Sequence, residues 1–367
     1  MLINFIKKEF LFFTFFILFS IFSVIFLDKL PQFPNYIDYP TIRALIGLML
    51  ITLAIKESNF FEYVALKILK DTNNEKKIAV YMVLLSVFLS MFLTNDITLF
   101  IVVPITLALG NYIKGDLSKL IIFEAIAVNV GSLLTPIGNP QNLFLYRKWD
   151  VGFFNFIIDM LPLFLIMFVL LIIFTFLVFP DKKLSINLIE KTIKVDKLLL
   201  FSSITLFVLF VISMEMHFVR YFLIIVIVFY LLFKRQIFQK FDYILILTFV
   251  LMFIDFHIIA NLKPVRDFIY KLDIDNFLTV FNLSVVFSQI MSNVPAAIFM
   301  GKFSNNYLAI SYGVNLGGNG FLIGSLANVI ALRFVKNSSI YLEFHKYSIP
   351  FFIVSYLLTV LLFNGLF

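Results

Sequence analysis

Apolar runs near residues 10–27, 40–55, 156–179, 198–213, 220–233, 242–260 and 347–363 are each long enough to cross most or all of a lipid bilayer. Lipid offers no partner to a backbone N–H or C=O, so runs of this kind must fold as helices. Composition agrees. Hydrophobic residues make up 62% of the 367, charged residues 14% and the mean hydropathy is +1.02, against about 45–50% apolar and about 25% charged residues in soluble domains. The expectation is an all-α polytopic membrane protein surrounded by lipid.

The basic residues assign sides. A formal charge of +7 fits Lys-rich cytoplasmic loops rather than contact with nucleic acid. Lys7 and Lys8 are read as cytoplasmic, and segments 78–111 and 277–302 as re-entrant hairpins that enter and leave on one side. Then 20 of the 29 Lys and Arg fall inside and 9 outside. This threading predicts a cytoplasmic N-terminus and an outer C-terminus in the cell (inner) membrane. The first run is kept as an uncleaved span, because no small-residue cleavage site follows it. The polar stretch "PDKKLSINLIEKTIKVDK" places a cytoplasmic linker at 181–197, between a first half at 1–180 and a second at 198–367. There is no Cys, and His217, His257 and His345 are scattered. No nucleophile–base pair or metal motif is visible, so an enzyme or a resident cofactor is not expected.

Two of the apolar segments are interrupted. "VNVGSLLTPIGNPQN" (128–142) and "VNLGGNGFLIGSLAN" (314–328) share Val, Asn, Gly, Ile, Gly and Asn in register. Each follows a hairpin with a matching tip. Ser90, Thr94 and Asn95 have the spacing of Ser288, Ser292 and Asn293. Hairpin 78–111 with broken helix 118–148, and hairpin 277–302 with broken helix 307–334, therefore form a repeat, and the charge-based threading inverts one copy relative to the other. Inverted repeats with discontinuous helices mark secondary transporters. Half-helix N-termini present free N–H groups to an anion, and freed carbonyls and amide oxygens can hold a cation. Glycine would supply unusual backbone angles and close approach.

A single Asn in a span is most often a cap or an inter-helix hydrogen bond. Recurrence beside Gly in both halves favours ion or substrate lining. The candidates are Thr94, Asn95, Asp96, Thr135, Gly138, Asn139, Asn142, Ser292, Asn293, Gly317, Gly318, Asn319, Gly324, Ser325 and Asn328. Asn95, Asn139 and Asn293 are candidates for Na+ as a coupling ion, and Asp96 and Glu124 for a proton. Asp255 and His257 read as interfacial, Trp149 as an interface anchor, and the Phe residues as lipid-facing bulk.

These motifs resemble the ion transporter superfamily, with its arsenite permeases, divalent-anion/sodium symporters, and citrate-type and D-type sodium/proton transporters. The tips stand here as Thr94-Asn95-Asp96 and Ser292-Asn293-Val294, beside the broken helix "TPIGNPQN". Asn95-Asp96 followed by Pro104 is more similar to the arsenite-permease branch. The resemblance implies a secondary active transporter of a small inorganic or carboxylic anion, such as an arsenite-like oxyanion, coupled to Na+ or H+. A sodium/proton antiporter on the same scaffold is the alternative, and a homodimer is the assembly it would imply.

Overall fold

The structure, a computed structural model, describes residues 9–64, 72, 74–109, 117–183, 193–335 and 339–366. Lys7 and Lys8 and the middle of the expected linker, 184–192, lie outside them. Among the described residues the chain is helical, apart from short connections and an isolated bridge between Asn74 and Lys183.

The first half comprises α1 (Phe10–Ile25), α2 (Tyr39–Glu57), α3 (Glu75–Phe92), α4 (Asn95–Leu109), α5 (Ser118–Ser132), α6 (Pro140–Lys148) and α7 (Phe153–Val178). The second comprises α8 (Lys197–Glu215), α9 (Val219–Phe233), α10 (Gln236–Lys240), α11 (Tyr243–Asn261), α12 (Lys263–Ile269), α13 (Phe277–Met291), α14 (Asn293–Met300), α15 (Tyr307–Gly317), α16 (Leu326–Arg333) and α17 (Ile340–Leu366). By length and composition α2, α7, α8, α11 and α17 can each cross a membrane. The run from residue 10 stops as an α-helix at Ile25. It continues as a 3-10 segment, Leu27–Tyr36, where Pro31 and Pro34 withhold the N–H groups an α-helix needs.

Polar punctuation sets the starts. Asp38, Asp196, Asp242, Asn276 and Asn306 each accept a backbone N–H three residues on, at 2.9–3.2 Å. These caps satisfy donors that lipid could not.

The same arrangement occurs twice. α3 packs along α5, and α13 packs along α15; these are the two most extensive helix pairs. The halves then cross: α4 packs on α16, α14 packs on α6, and α16 also packs on α5. The breaks of both interrupted helices therefore meet at the centre. Around them lies one continuous apolar core in which Phe123, Phe156, Phe210, Phe281, Phe344 and Phe351 are fully buried. Many phenylalanines thus fill the interior, contrary to the expectation that they face lipid. A ring fits between helices where a small residue leaves room: Phe210 sits over Gly47, only 2.1 Å from where a methyl would be.

Candidate functional site

α5 ends at Ser132 and α6 begins at Pro140, with Asn139 capping the new helix through a 2.8 Å bond from the Asn142 N–H to its Oδ1. Pro140 in the first turn gives up an N–H that no helical carbonyl would meet. In the second half α15 ends at Gly317 and α16 begins at Leu326, with Ser325 Oγ accepting the Ala327 N–H at 3.3 Å. Each break thus starts a half-helix with the positive end of its dipole at the centre of the molecule.

Two asparagines join the breaks across the halves. Asn129 donates to Asn328 Oδ1 at 2.8 Å and to the Gly318 carbonyl at 3.2 Å, while its own Oδ1 accepts from Ser325 Oγ at 2.9 Å. Asn315 donates to Asn142 Oδ1 at 2.7 Å, and its Oδ1 accepts from Asn139 Nδ2 at 3.1 Å and Gln141 Nε2 at 3.3 Å. In the repeat register 129 matches 315, 142 matches 328 and 139 matches 325. Two bonds therefore recur with the halves exchanged. A third feature recurs within each half: Asn142 reaches the Ser132 carbonyl and Asn328 reaches the matching Gly318 carbonyl. All these side chains are buried, so leaving one unpaired would cost about 1–3 kcal/mol.

The hairpin tips close on the breaks. The Asn95 N–H donates to the Gly138 carbonyl at 3.1 Å, and Thr135 Oγ1 donates to the Met91 carbonyl at 2.5 Å. In the second half Gln289 spans the break, donating to the Gly317 carbonyl and accepting the Phe321 N–H at 2.6 Å. A methyl on Gly318 would lie 3.2 Å from Asn293 Nδ2. Each tip asparagine thus abuts a break.

The glycines differ from expectation. None of the described glycines has a positive φ, so their role here is clearance rather than backbone freedom. A methyl on Gly131 would be 2.1 Å from the Val87 carbonyl, and on Gly317 2.5 Å from Ser288 Cβ. Gly317 is the last residue of α15, not part of the unwound stretch. The unusual backbone falls instead on Ser292, with φ 76° and ψ 157° at the second tip. A residue with a Cβ is strained there by about 1–3 kcal/mol, and such strain concentrates at functional sites.

Two amide oxygens beside Asn315, Gln141 Oε1 and Asn319 Oδ1, are buried and accept no hydrogen bond. Asp96, the last residue of the first tip, is buried but reaches two cavities. It lines a cavity of about 450 Å³ with Lys56, Lys240 and Asp242, and a smaller one of about 110 Å³ with Thr248, Leu326 and Arg333. Glu124 is buried in α5 and accepts a hydrogen bond from Thr106 of α4. Asp255 is not interfacial: it is fully buried in α11. Trp149 is half-buried, with the Lys148 ammonium 5.0 Å from its ring. Sequence reasoning left Asn129, Asn315, Gln141 and Gln289 out of the candidate set. The Asn shared by the two aligned segments was the signal for the first pair.

A model of the family described as citrate transporter matches residues 3–306. The chain belongs to the citrate transporter family. It is 37% identical to the inner membrane protein YbiR of Escherichia coli over 89% of both chains. To an uncharacterized transporter of Methanocaldococcus jannaschii it is 38% identical over 81% of both. To the P protein of Mus musculus it is 32% identical over 33% of this chain and 15% of that one. This citrate transporter family member is therefore an integral membrane protein and a secondary transporter, not an enzyme.

Proposed function

We propose that the crossed breaks bind a small anion together with a coupling cation, and that the two halves carry both across the membrane by alternating access. The observation that carries this reading is the exchange symmetry of the Asn129 and Asn315 bonds. A bond set that recurs when the halves are swapped can be rebuilt when one half rocks against the other. Amides that bond each other can also release those bonds to a ligand. No Lys or Arg stands at the break or tip motifs. Anion charge would be met by amide N–H groups, half-helix N-termini and a bound cation. The unpaired oxygens of Gln141 and Asn319 are ligands of the kind Na+ takes. An arsenite-like oxyanion or a carboxylate of the citrate class suits such a site, and the cavity beside Asp96 is of the size small ligands occupy. The repeat units are taken as 1–180 and 198–367, with the linker and N-terminus cytoplasmic and the C-terminus outside. A homodimer is the proposed assembly.

A second reading, sodium/proton antiport, is favoured by the carboxylate of Asp96 in the wall of both charged cavities. Reconstitution into proteoliposomes separates the two. The first reading predicts that an imposed Na+ or pH gradient drives uptake of radiolabelled citrate or arsenite, and that Asp96→Asn inserts normally but loses that drive. Sodium-dependent proton movement with neither anion taken up would favour antiport. Anion flux insensitive to both gradients would exclude coupling.

A further inference from the structure

Asp255 lies in the second half of the membrane helix α11, fully buried, and neither of its carboxyl oxygens has a hydrogen-bond partner. The residues one turn to either side on its face are Leu251, Met252, Ile258 and Ile259. The neighbouring α1 and α14 carry no titratable side chain among their described residues. On the other packed elements the titratable groups are Asp28, Lys29 and Tyr36 of the 3-10 segment, Tyr39, Arg43, Lys56 and Glu57 of α2, and Lys263, Arg266 and Asp267 of α12. On α11 itself they are Tyr243 and His257, and His257 stacks on Tyr36 at 3.8 Å. None of these groups is bonded to Asp255.

A carboxylate so placed is among the costliest groups a membrane interior can hold, and intramembrane carboxyls usually serve transport. A cation or a proton could relieve it. A cation needs several oxygen ligands, and Leu251, Met252, Ile258 and Ile259 on its face bring no side-chain oxygen. A proton needs only a route. Asp255 is seven residues from Thr248, two helical turns along the same face, or about 10 Å. Thr248 lines the smaller charged cavity with Asp96, Asp242 and Leu326. The next residue, Phe256, lines an apolar cavity of about 280 Å³ that reaches Ser292 at the second tip. The two cavities share Leu11 and Leu326, so the stretch of α11 around Asp255 runs between the charged vestibule and the strained tip.

We propose that Asp255 is a proton-carrying site of the transport cycle, loaded from the Asp96 vestibule past Leu11 and Leu326. The step is a reversible proton transfer: a vestibule hydronium gives its proton to an Asp255 carboxylate oxygen, and water accepts it back on the opposite stroke. This inference rests on the secondary-transport reading, and its test is built to fail separately from it. Infrared difference spectra of the purified full chain are compared for parent, Asp255→Asn and Asp255→Glu across pH. The expected result is a carboxylic-acid carbonyl band present in the parent, absent in Asp255→Asn, shifted in Asp255→Glu and lost reversibly as pH rises. An unchanged band in Asp255→Asn, or a band that does not respond to pH, would overturn the proposal whether or not any substrate is found. In vesicles holding a pH-sensitive dye, with citrate and arsenite as probes, Asp255→Asn should cut proton movement at least tenfold while exchange of the probe between its two sides persists. Parent-level proton movement in Asp255→Asn would also overturn it. A parent that moves neither probe would count against the anion reading and leave the infrared result to decide Asp255.

Discussion

At the scale of single residues, the centre of this molecule is made of amides and of the space glycines leave for them. Gly131 and Gly317 occupy matching places, each under a serine of its own hairpin, Ser90 and Ser288. They are not equally tolerant. A methyl on Gly131 would meet the Val87 carbonyl at 2.1 Å and Val87 Cα at 2.7 Å, both backbone, whereas on Gly317 the nearest atoms belong to the Ser288 side chain. Ser288 Cβ is nearly as fixed as backbone, but the overlap at Gly317 is smaller, 2.5 Å against 2.1 Å at Gly131. Gly131→Ala should therefore lower the melting temperature more than Gly317→Ala, with overpacking costing about 1–3 kcal/mol or more. Equal melting temperatures for both variants would mean that the α3–α5 contact is looser than the structure shows.

At the scale of elements, the places where helices stop and restart were legible because each leaves a mark in a single strand of sequence. Tips are short polar interruptions of apolar runs, and breaks gather Gly, Pro and Asn. Asn139 and Pro140 signal a helix start by their own chemistry, and the structure begins α6 there. Asn129 and Asn315 are marked only by their shared place in the repeat, not by local chemistry. They sit inside α5 and α15, before the breaks, and gain partners only when the halves cross. Asp255 stands six residues from the end of α11, which suggests an interface, but packing of α11 against α1 and α14 buries it. The unusual backbone at Ser292 could not be read from a residue type that rarely adopts it. Caps are the opposite case, local and legible. Asp196 begins α8, accepts the Leu199 N–H at 3.1 Å and pairs with Lys234 at 3.0 Å. The Leu199 N–H first, and Lys234 second, hold its carboxyl below the usual carboxylate range. A lowered folded value means that the stabilisation is present above the unfolded value near about 3.9 and is lost as pH falls through the folded one. Asp196→Ala should cost about 1 kcal/mol at neutral pH, since the partly exposed ion pair adds little. The melting difference from the parent should shrink below pH 4; a difference constant through that range would remove the carboxylate from the explanation.

At the scale of the whole molecule, two claims remain to be joined: which way the protein sits, and where its halves meet the ligand. The asymmetry of 20 basic residues against 9 predicts that Lys194, in the described end of the linker, faces the cytoplasm. A single cysteine at Lys194 in this cysteine-free chain should resist an impermeant thiol reagent in intact cells and react after permeabilisation. Labelling in intact cells would reverse the threading. The central claim is that Asn129 and Asn315 form one site through exchange of the halves. The direct measurement is uptake, driven by the effective gradient, by Asn129→Ala, Asn315→Ala and the double variant in vesicles of matched protein content. Because both residues serve one network, each single variant should fall below about a tenth of parent uptake. The double variant should be little worse than either, since groups acting as a unit are not additive. Parent-level uptake by either single variant, or losses that multiply in the double, would contradict a shared site at the crossed breaks.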